Sequence, residues 1–319
     1  MINETTRLGY CCINLSLDRK VTANRGMIKK TFQQKGIQYC GELAHQNIKD
    51  ILTILKWNVA NDIYVYRMSS DVFPWMSEYE ITQLPNFQEI LPDMQAIGEF
   101  VLANNIRLSM HPGQFDVLPS PTPSVVTKTI KDLNQHSEIM DLMGLPNDHR
   151  FPVNIHVGGT YGDKEAAADR FCQNFKLLSK SAQNRLVVEN DDKATQYSVQ
   201  DLYDLITARI GTPITFDFHH HRFNTSGLTE EDALTLAAST WPCTPLTHYS
   251  SSKKTFEDSS VIARSHADYI YEQINPYGLV LDIEVEAKAK DLAVLKYREQ
   301  YNTLLENYIP FEHERLQEL

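Results

Sequence analysis

Apolar, β-branched runs alternate along this chain with segments whose apolar residues recur at helical spacing. Runs at 8–13, 62–68, 106–110, 152–157, 185–189, 214–218, 245–249 and 279–286 read as strands. Segments at 43–57, 87–104, 125–143, 166–178, 199–210, 229–239, 259–273 and 288–307 read as helices. Near-continuous apolar strands separated by helices predict a parallel sheet covered on both faces. Eight repeats predict closure as a (β/α)8 TIM barrel, an α/β fold in a single domain over residues 1–319. A doubly wound open sheet is the alternative, but Gly9 stands alone after the first strand, without a glycine-rich dinucleotide fingerprint. The P-S-P-T-P turn at 119–123 is the most rigid punctuation, ending the loop after the third strand.

Composition is that of an ordinary globular protein. At 319 residues and 42% hydrophobic content the chain can bury a large core. No apolar run approaches a bilayer span, and the start M-I-N-E-T-T-R lacks the regions of a signal peptide. A cytoplasmic, nucleoid-associated protein without a membrane partner is expected. Cys11, Cys12, Cys40, Cys172 and Cys243 lack metal-ligand spacing, and adjacent Cys11 and Cys12 are poorly placed to bridge, so free thiols are expected.

The net charge of -11 argues against a nucleic-acid partner unless part of the acidity surrounds divalent ions, whose own charge reverses the local field. One segment also runs the other way. Residues 19–35 carry Arg19, Lys20, Arg25, Lys29, Lys30 and Lys35 with no acid, a local basic stripe.

The chemistry gathers at strand ends. His111 follows the third strand, His156 ends the fourth and Glu189 the fifth; Asp217 and His220 stand at the end of the sixth. His248 ends the seventh strand, His266 opens the next helix, and Glu286 ends the eighth strand. Barrel active sites lie on the face made by strand C-termini, so these residues converge although they span much of the chain. A single histidine at a strand end is an ordinary hydrogen-bonding residue, but eight metal-type residues at the same end of successive strands are not so explained. Five histidines and three carboxylates exceed one tetrahedral zinc and suit two or three divalent ions bridged by carboxylates. Such ions clamp phosphoryl oxygens and activate water. Within T-F-D-F-H-H-H-R-F, alternation places His219 with Asp217 if the strand continues, while a bend after Asp217 changes that; periodicity leaves the histidine open. His45, His136, His149 and His313 lie in helices or loops and read as structural.

Together the strings H-P-G-Q-F, N-I-H-V-G-G-T-Y-G-D-K, V-V-E-N-D-D-K, F-D-F-H-H, H-Y-S-S-S-K, R-S-H-A-D-Y and E-A-K-A-K-D resemble the UV damage endonuclease family, relatives of endonuclease IV with a metal-dependent barrel. The resemblance runs from Arg7 to about Arg298. It implies metal ligands at His111, His156, Glu189, Asp217, His220, His248, His266 and Glu286, with Glu189, Asp217, His248 and Glu286 catalytic, and it selects His220 through a D-x-x-H spacing. It implies two or three divalent ions per chain, Mn2+ first with Zn2+ or Mg2+ as alternatives, and incision of DNA immediately 5' of cyclobutane pyrimidine dimers and 6-4 photoproducts. Gln114 and Phe115 match residues that probe the helix where the lesion is flipped out, and Tyr10 and Asn14 match positions near the flipped lesion. A planar side chain beside a long one suits the vacated stack. Two departures stand out. Where some members carry a lysine that can be modified to a metal-site carboxylate, this chain has Leu246; where members tend to be apolar it has Glu284, which alternates onto the same side as Glu286 and so could add a carboxylate near the metals, although exposure at the strand end is the default expectation.

The expected partner is UV-damaged double-stranded DNA, bound by a monomer. Lys193, Lys253 and Lys254, in loops on the same barrel face, are candidates for phosphate contacts. An abasic-site endonuclease on the same barrel is the nearest alternative, a metal-dependent sugar isomerase a more remote one, and a non-enzymatic metal- or DNA-binding protein the third.

Overall fold

Eight parallel strands close on themselves in chain order: β1 (Arg7–Cys11), β2 (Val65–Met68), β3 (Arg107–Met110), β4 (Val153–His156), β5 (Leu186–Glu189), β6 (Ile214–Asp217), β7 (Leu246–Tyr249) and β8 (Asp282–Val285). This is a computed structural model, and it describes residues 6–301. The TIM barrel read from the hydrophobic pattern is therefore the observed fold, each strand lying within or across its expected run. The first five residues, the end of the expected last helix beyond Tyr301, and His313 lie outside the described residues.

The strands are short because only the barrel wall is regular. Period-2 alternation sends every second residue inward. Val65, Val187 and Leu246 form an apolar cluster with Trp241, separate from the larger core between sheet and helices. Toward the strand C-termini the next alternate positions are Arg67, Glu189, His248 and Glu284. Gly9 allows the closest approach in the wall: a Cβ there would lie 1.9 Å from Val65 O on the paired strand. Trp241, at the other end of the apolar cluster, donates from its indole to Ile214 O (2.7 Å).

The covering helices follow the helical periodicity. α1 (Lys29–Ala60) starts well before the expected position 43 and is interrupted at Gly36, whose φ of 61° is not helical. α2 (Phe87–Ala103), α3 (Pro123–Leu142) and α4 (Lys164–Phe175) fall close to expectation. α3 begins on the last proline of P-S-P-T-P, which fits a first-turn position where no N–H is needed. The stretch 259–273, expected as a helix, is an irregular loop. Its backbone is used by neighbours: Lys253 N donates to Ser265 O (2.8 Å), Ala267 N to Ser251 O (2.9 Å), and Lys288 N to Ala267 O (3.1 Å). Tertiary hydrogen bonds in the middle of the segment replace the helical ladder its composition favours. The five cysteines are free, Cys11, Cys40 and Cys172 buried and the other two partly so. No helix among the described residues is long and apolar enough to cross a membrane.

The N-terminal end of the barrel is closed by charge. Asp282, fully buried, contacts Arg7 at 2.6 Å and Arg107 at 3.2 Å, and Arg107 also donates to Thr244 O (2.6 Å) and His149 O (2.9 Å). Burial alone would push the Asp282 carboxyl up, but the two guanidinium groups hold it below its ordinary value. Removing one partner strands a buried cation. Asp282→Ala is expected to cost about 3–5 kcal/mol in urea unfolding; a loss under about 1 kcal/mol would contradict this role for the triad.

Candidate metal centre

Glu189, at the end of β5 and 1% exposed, is the centre of the opposite face. Its Oε2 lies 3.0 Å from His111 Nε2 and 3.8 Å from His156 Nε2, and its Oε1 lies 3.3 Å from His220 Nδ1 and 3.2 Å from His248 Nδ1. Asn154 Nδ2 donates to Oε2 at 2.5 Å, fixing the carboxylate from the neighbouring strand. Register supplies the rest: His156 lies beside Glu189 across β4–β5, and Asp217 beside His248 across β6–β7.

The D-x-x-H spacing has a local cause. β6 stops at Asp217, and Phe218–His221 form one helical turn in which the Asp217 carboxylate accepts from His220 N at 2.7 Å. The bend brings residue i+3 back over the cap, so His220 and not His219 joins Asp217. His219 and His221 are buried, His219 with its ring 5.3 Å from that of His266 and His221 with its ring 5.3 Å from that of Phe216. Asn190 joins the two strand ends, donating to Asp217 O (3.0 Å) and accepting from Asp217 N (2.8 Å).

Donor atoms fall into three groups that could each hold an ion: His111, His156 and Glu189; Glu189, Asp217 and His220; Asp217, His248 and Glu286. Within each group the atoms lie within 4.8 Å of one another, and Glu189 and Asp217 are shared. Seven of the eight residues expected at the centre are therefore brought together. His266 stands at the edge, its Nδ1 3.1 Å from Glu286 O and 3.6 Å from Glu286 Oε2. The donor set fits divalent ions on a further ground. His248 Nδ1 and Asp217 Oδ2, which face the cluster, are buried without a hydrogen-bond partner among protein groups, a costly state that a cation relieves.

Several members of the site were not singled out from sequence. Asp191 Oδ1 lies 3.2 Å from His156 Nδ1, on the ring nitrogen remote from Glu189. Arg67, an arginine inside an apolar strand, reaches Glu286 Oε1 at 2.5 Å and Glu284 Oε2 at 3.6 Å. Its inward position was available from alternation alone. Glu284, expected to be exposed, is fully buried: mid-strand in β8, it points into the barrel, accepts from Ser109 Oγ, and lies 3.1 Å from His248 Nε2.

A cleft of about 620 Å³ opens above His111, His156 and His220, walled by Gln114, Asp191 and Lys193. Phe115, beside Gln114, is 82% exposed. Lys193 and Lys254 are exposed, whereas Lys253 is paired with Asp268 (3.1 Å) and Glu257 (3.5 Å). Tyr10 and Asn14, expected near a lesion, are buried. Tyr10 alternates to the helix-facing side of β1, where its hydroxyl donates to Asn58 Oδ1 (2.6 Å) and accepts from Asn14 Nδ2 (2.9 Å). In the basic stripe, Arg25 is paired with Asp50 at 2.6 Å, while Arg19, Lys20, Lys29, Lys30 and Lys35 are exposed. His45 and His136 contact Asp93 (2.8 Å) and Asp132 (3.1 Å), away from the cluster.

A family model described as UV-endonuclease UvdE matches residues 6–309. The chain belongs to the UV-endonuclease family. It is 32% identical over 299 residues to the UV DNA damage endonuclease of Clostridium perfringens, covering 91% of this chain and 69% of that one. It is 33% identical over 309 residues to the UV-damage endonuclease of Schizosaccharomyces pombe, covering 92% of this chain but only 50% of that longer protein. The crystal structure of SacUVDE superposes with a TM-score of 0.82 at 30% identity, covering 94% of this chain and all of that one (100%). Endonuclease IV from Thermus thermophilus (TM-score 0.53, 14% identity, 93% and 100% covered) shares the fold. The enzyme is thus an endonuclease, with His and carboxylate clusters able to hold metal ions where barrel enzymes place their active sites.

Without ions the cluster holds protons. Burial pushes the Glu189 carboxyl up, but His248, His156, His111 and His220 outweigh it and hold it well below its ordinary value. Burial disfavours charged imidazoles, yet Glu189 and Asp191 bring His156 up to about 9, and Asp217 and Glu189 bring His220 up to about 11. Both folded values exceed the ordinary imidazole value of about 6.5, so the stability these pairs contribute is complete below that pH. It is lost as pH rises through about 9 for His156 and then about 11 for His220. Melting temperature in EDTA is expected to fall from about pH 6.5 toward about pH 9, while saturating divalent ion reduces or reverses the slope by displacing those protons. Parallel slopes with and without ion would contradict this competition.

Proposed function

We propose that the enzyme hydrolyses the phosphodiester immediately 5' of ultraviolet photoproducts in duplex DNA, both cyclobutane pyrimidine dimers and 6-4 photoproducts. Two or three divalent ions, Mn2+ in the working enzyme, are held by His111, His156, Glu189, Asp217, His220, His248, His266 and Glu286. The observation that carries this reading is the chain of three donor groups sharing Glu189 and Asp217 beneath a cleft lined by Gln114, next in sequence to the exposed Phe115. Ions bound there supply Lewis-acid stabilisation of the phosphoryl oxygens and a nucleophile drawn from water.

The protein's own groups do the positioning. Asn154 and Arg67 hold Glu189 and Glu286 in place, so the anionic charge is preorganised before substrate arrives. Phe115, with Gln114 beside it, enters the stack vacated by an extruded dinucleotide. The lesion lowers the extrusion cost by roughly a few kcal/mol relative to intact DNA, which supplies the selectivity. Lys193 and Lys254 meet backbone phosphates, and Lys253 does so by exchanging Asp268 for phosphate. The basic stripe at 19–35 extends the same contact, and the products are a 3'-hydroxyl and a 5'-phosphate. Tyr10 and Asn14 shape the loop after β1 from below and touch DNA only if that loop rearranges.

With Mn2+, the enzyme is expected to nick a duplex carrying a site-specific photodimer immediately 5' of the lesion and to spare the undamaged duplex. Equal nicking of both, or none after metal loading, would overturn the reading; cleavage confined to an abasic duplex would turn it into an abasic-site endonuclease. In the same assay His220→Ala should lower the rate by about 100-fold or more, as expected for loss of a ligand. His221→Ala should act mainly through stability, and equal loss of rate in folded samples of both variants would mean that His220 is not the ligand.

A further inference from the structure

Three of the five imidazoles, those of His111, His156 and His248, share one pattern. One ring nitrogen faces the cluster, and the other lies within 3.2 Å of an acceptor that can set which nitrogen carries the proton. His111 Nδ1 faces Pro112 O at 3.0 Å and leaves Nε2 toward Glu189; His156 Nδ1 faces Asp191 at 3.2 Å and does the same. His248 is turned the other way round. Its Nδ1 faces the cluster, 3.2 Å from Glu189 Oε1 and 3.6 Å from Glu286 Oε1, and its Nε2 points to Glu284 Oε2 at 3.1 Å.

Glu284 is built to stay there. Its residue pairs with His248 across β7–β8, and both side chains are 0% exposed. Ser109 Oγ donates to its Oε1, and Arg67 Nη1 stands 3.6 Å from its Oε2. It belongs to none of the three donor groups. A buried carboxylate on one side of a neutral imidazole requires the N–H on that side, which leaves the lone pair on the other nitrogen.

We propose that Glu284 is a positioning residue that holds the proton of His248 on Nε2 and so presents Nδ1 as the donor to the ion shared with Asp217 and Glu286. The inference rests on the cluster being a metal centre. Among the described residues no other group hydrogen-bonds His248 Nε2, and the carboxylate of a strand residue, 3.1 Å away, stands where Pro112 O stands for His111. The consequence is specific to one ion. Losing Glu284 weakens the Asp217, His248 and Glu286 group while leaving His111, His156 and Glu189 to bind as before.

Two measurements test this. In wild-type protein loaded with diamagnetic Zn2+, 15N spectra of labelled histidine, with His248 assigned by its loss in His248→Gln, are expected to show a protonated Nε2 and a coordinated Nδ1. A protonated Nδ1 would overturn the proposal without need of any Glu284 variant. In Mn2+ titrations followed by bound-metal analysis, Glu284→Met should weaken one ion by about 10–100-fold and leave the others unchanged, while Glu284→Gln, whose amide oxygen can still accept, should recover most of the loss. A folded Glu284→Met variant that titrates like wild type would also overturn it. Failure of wild-type protein to bind any divalent ion would instead remove the metal-centre reading, and this inference with it.

Discussion

A carboxylate taken out of water must be paired, and Glu189 is paired from every side. Its two oxygens are divided, Oε2 serving His111, His156 and Asn154, and Oε1 serving His220 and His248. An isolated buried carboxylate would take up a proton instead. The imidazoles that prevent this come from β3, β4, β6 and β7, and no single supersecondary unit contains them. Closing the sheet brings them around one residue, so the electrostatics of the centre and the topology of the barrel are one constraint.

That constraint orders the barrel interior along its axis. Opposed charges lock the N-terminal end through Asp282, Arg7 and Arg107; Val65, Val187 and Leu246 fill the middle; inward-facing polar residues occupy the C-terminal end. The apolar layer gives the site a rigid, low-dielectric floor. Arg67 and Ser109 hold Glu286 and Glu284, so the carboxylates at the C-terminal end are supported from other strands of the barrel. The cluster is thus preorganised, and Phe115 and Lys193 stand on loops above it.

The strands were legible because burial on both faces leaves near-continuous apolar runs, and the cluster of donor residues because metal-type residues recur where those runs stop. The choice among His219, His220 and His221 was not legible from periodicity, since it turns on the strand ending at Asp217 and a helical turn starting there. Glu284 was misjudged because its strand position lies between residues readable as a fraying end, whereas the pairing of His248 with Glu284 places it mid-strand. The stretch 259–273 has helical composition, but its backbone groups are used by the loops after β7 and β8. Tyr10 turned out to face the helices, a side that alternation in so short a strand could have given once the inward position of Gly9 beside Val65 was known.

The central claim is that Glu189 and Asp217 are shared between neighbouring divalent ions. Anomalous diffraction at the manganese edge from crystals equilibrated with Mn2+ tests it most directly. Two or three peaks in a row are expected, each adjacent pair bridged by Glu189 or Asp217. A single peak bound by one group, or peaks that leave Glu189 uncoordinated, would contradict the account.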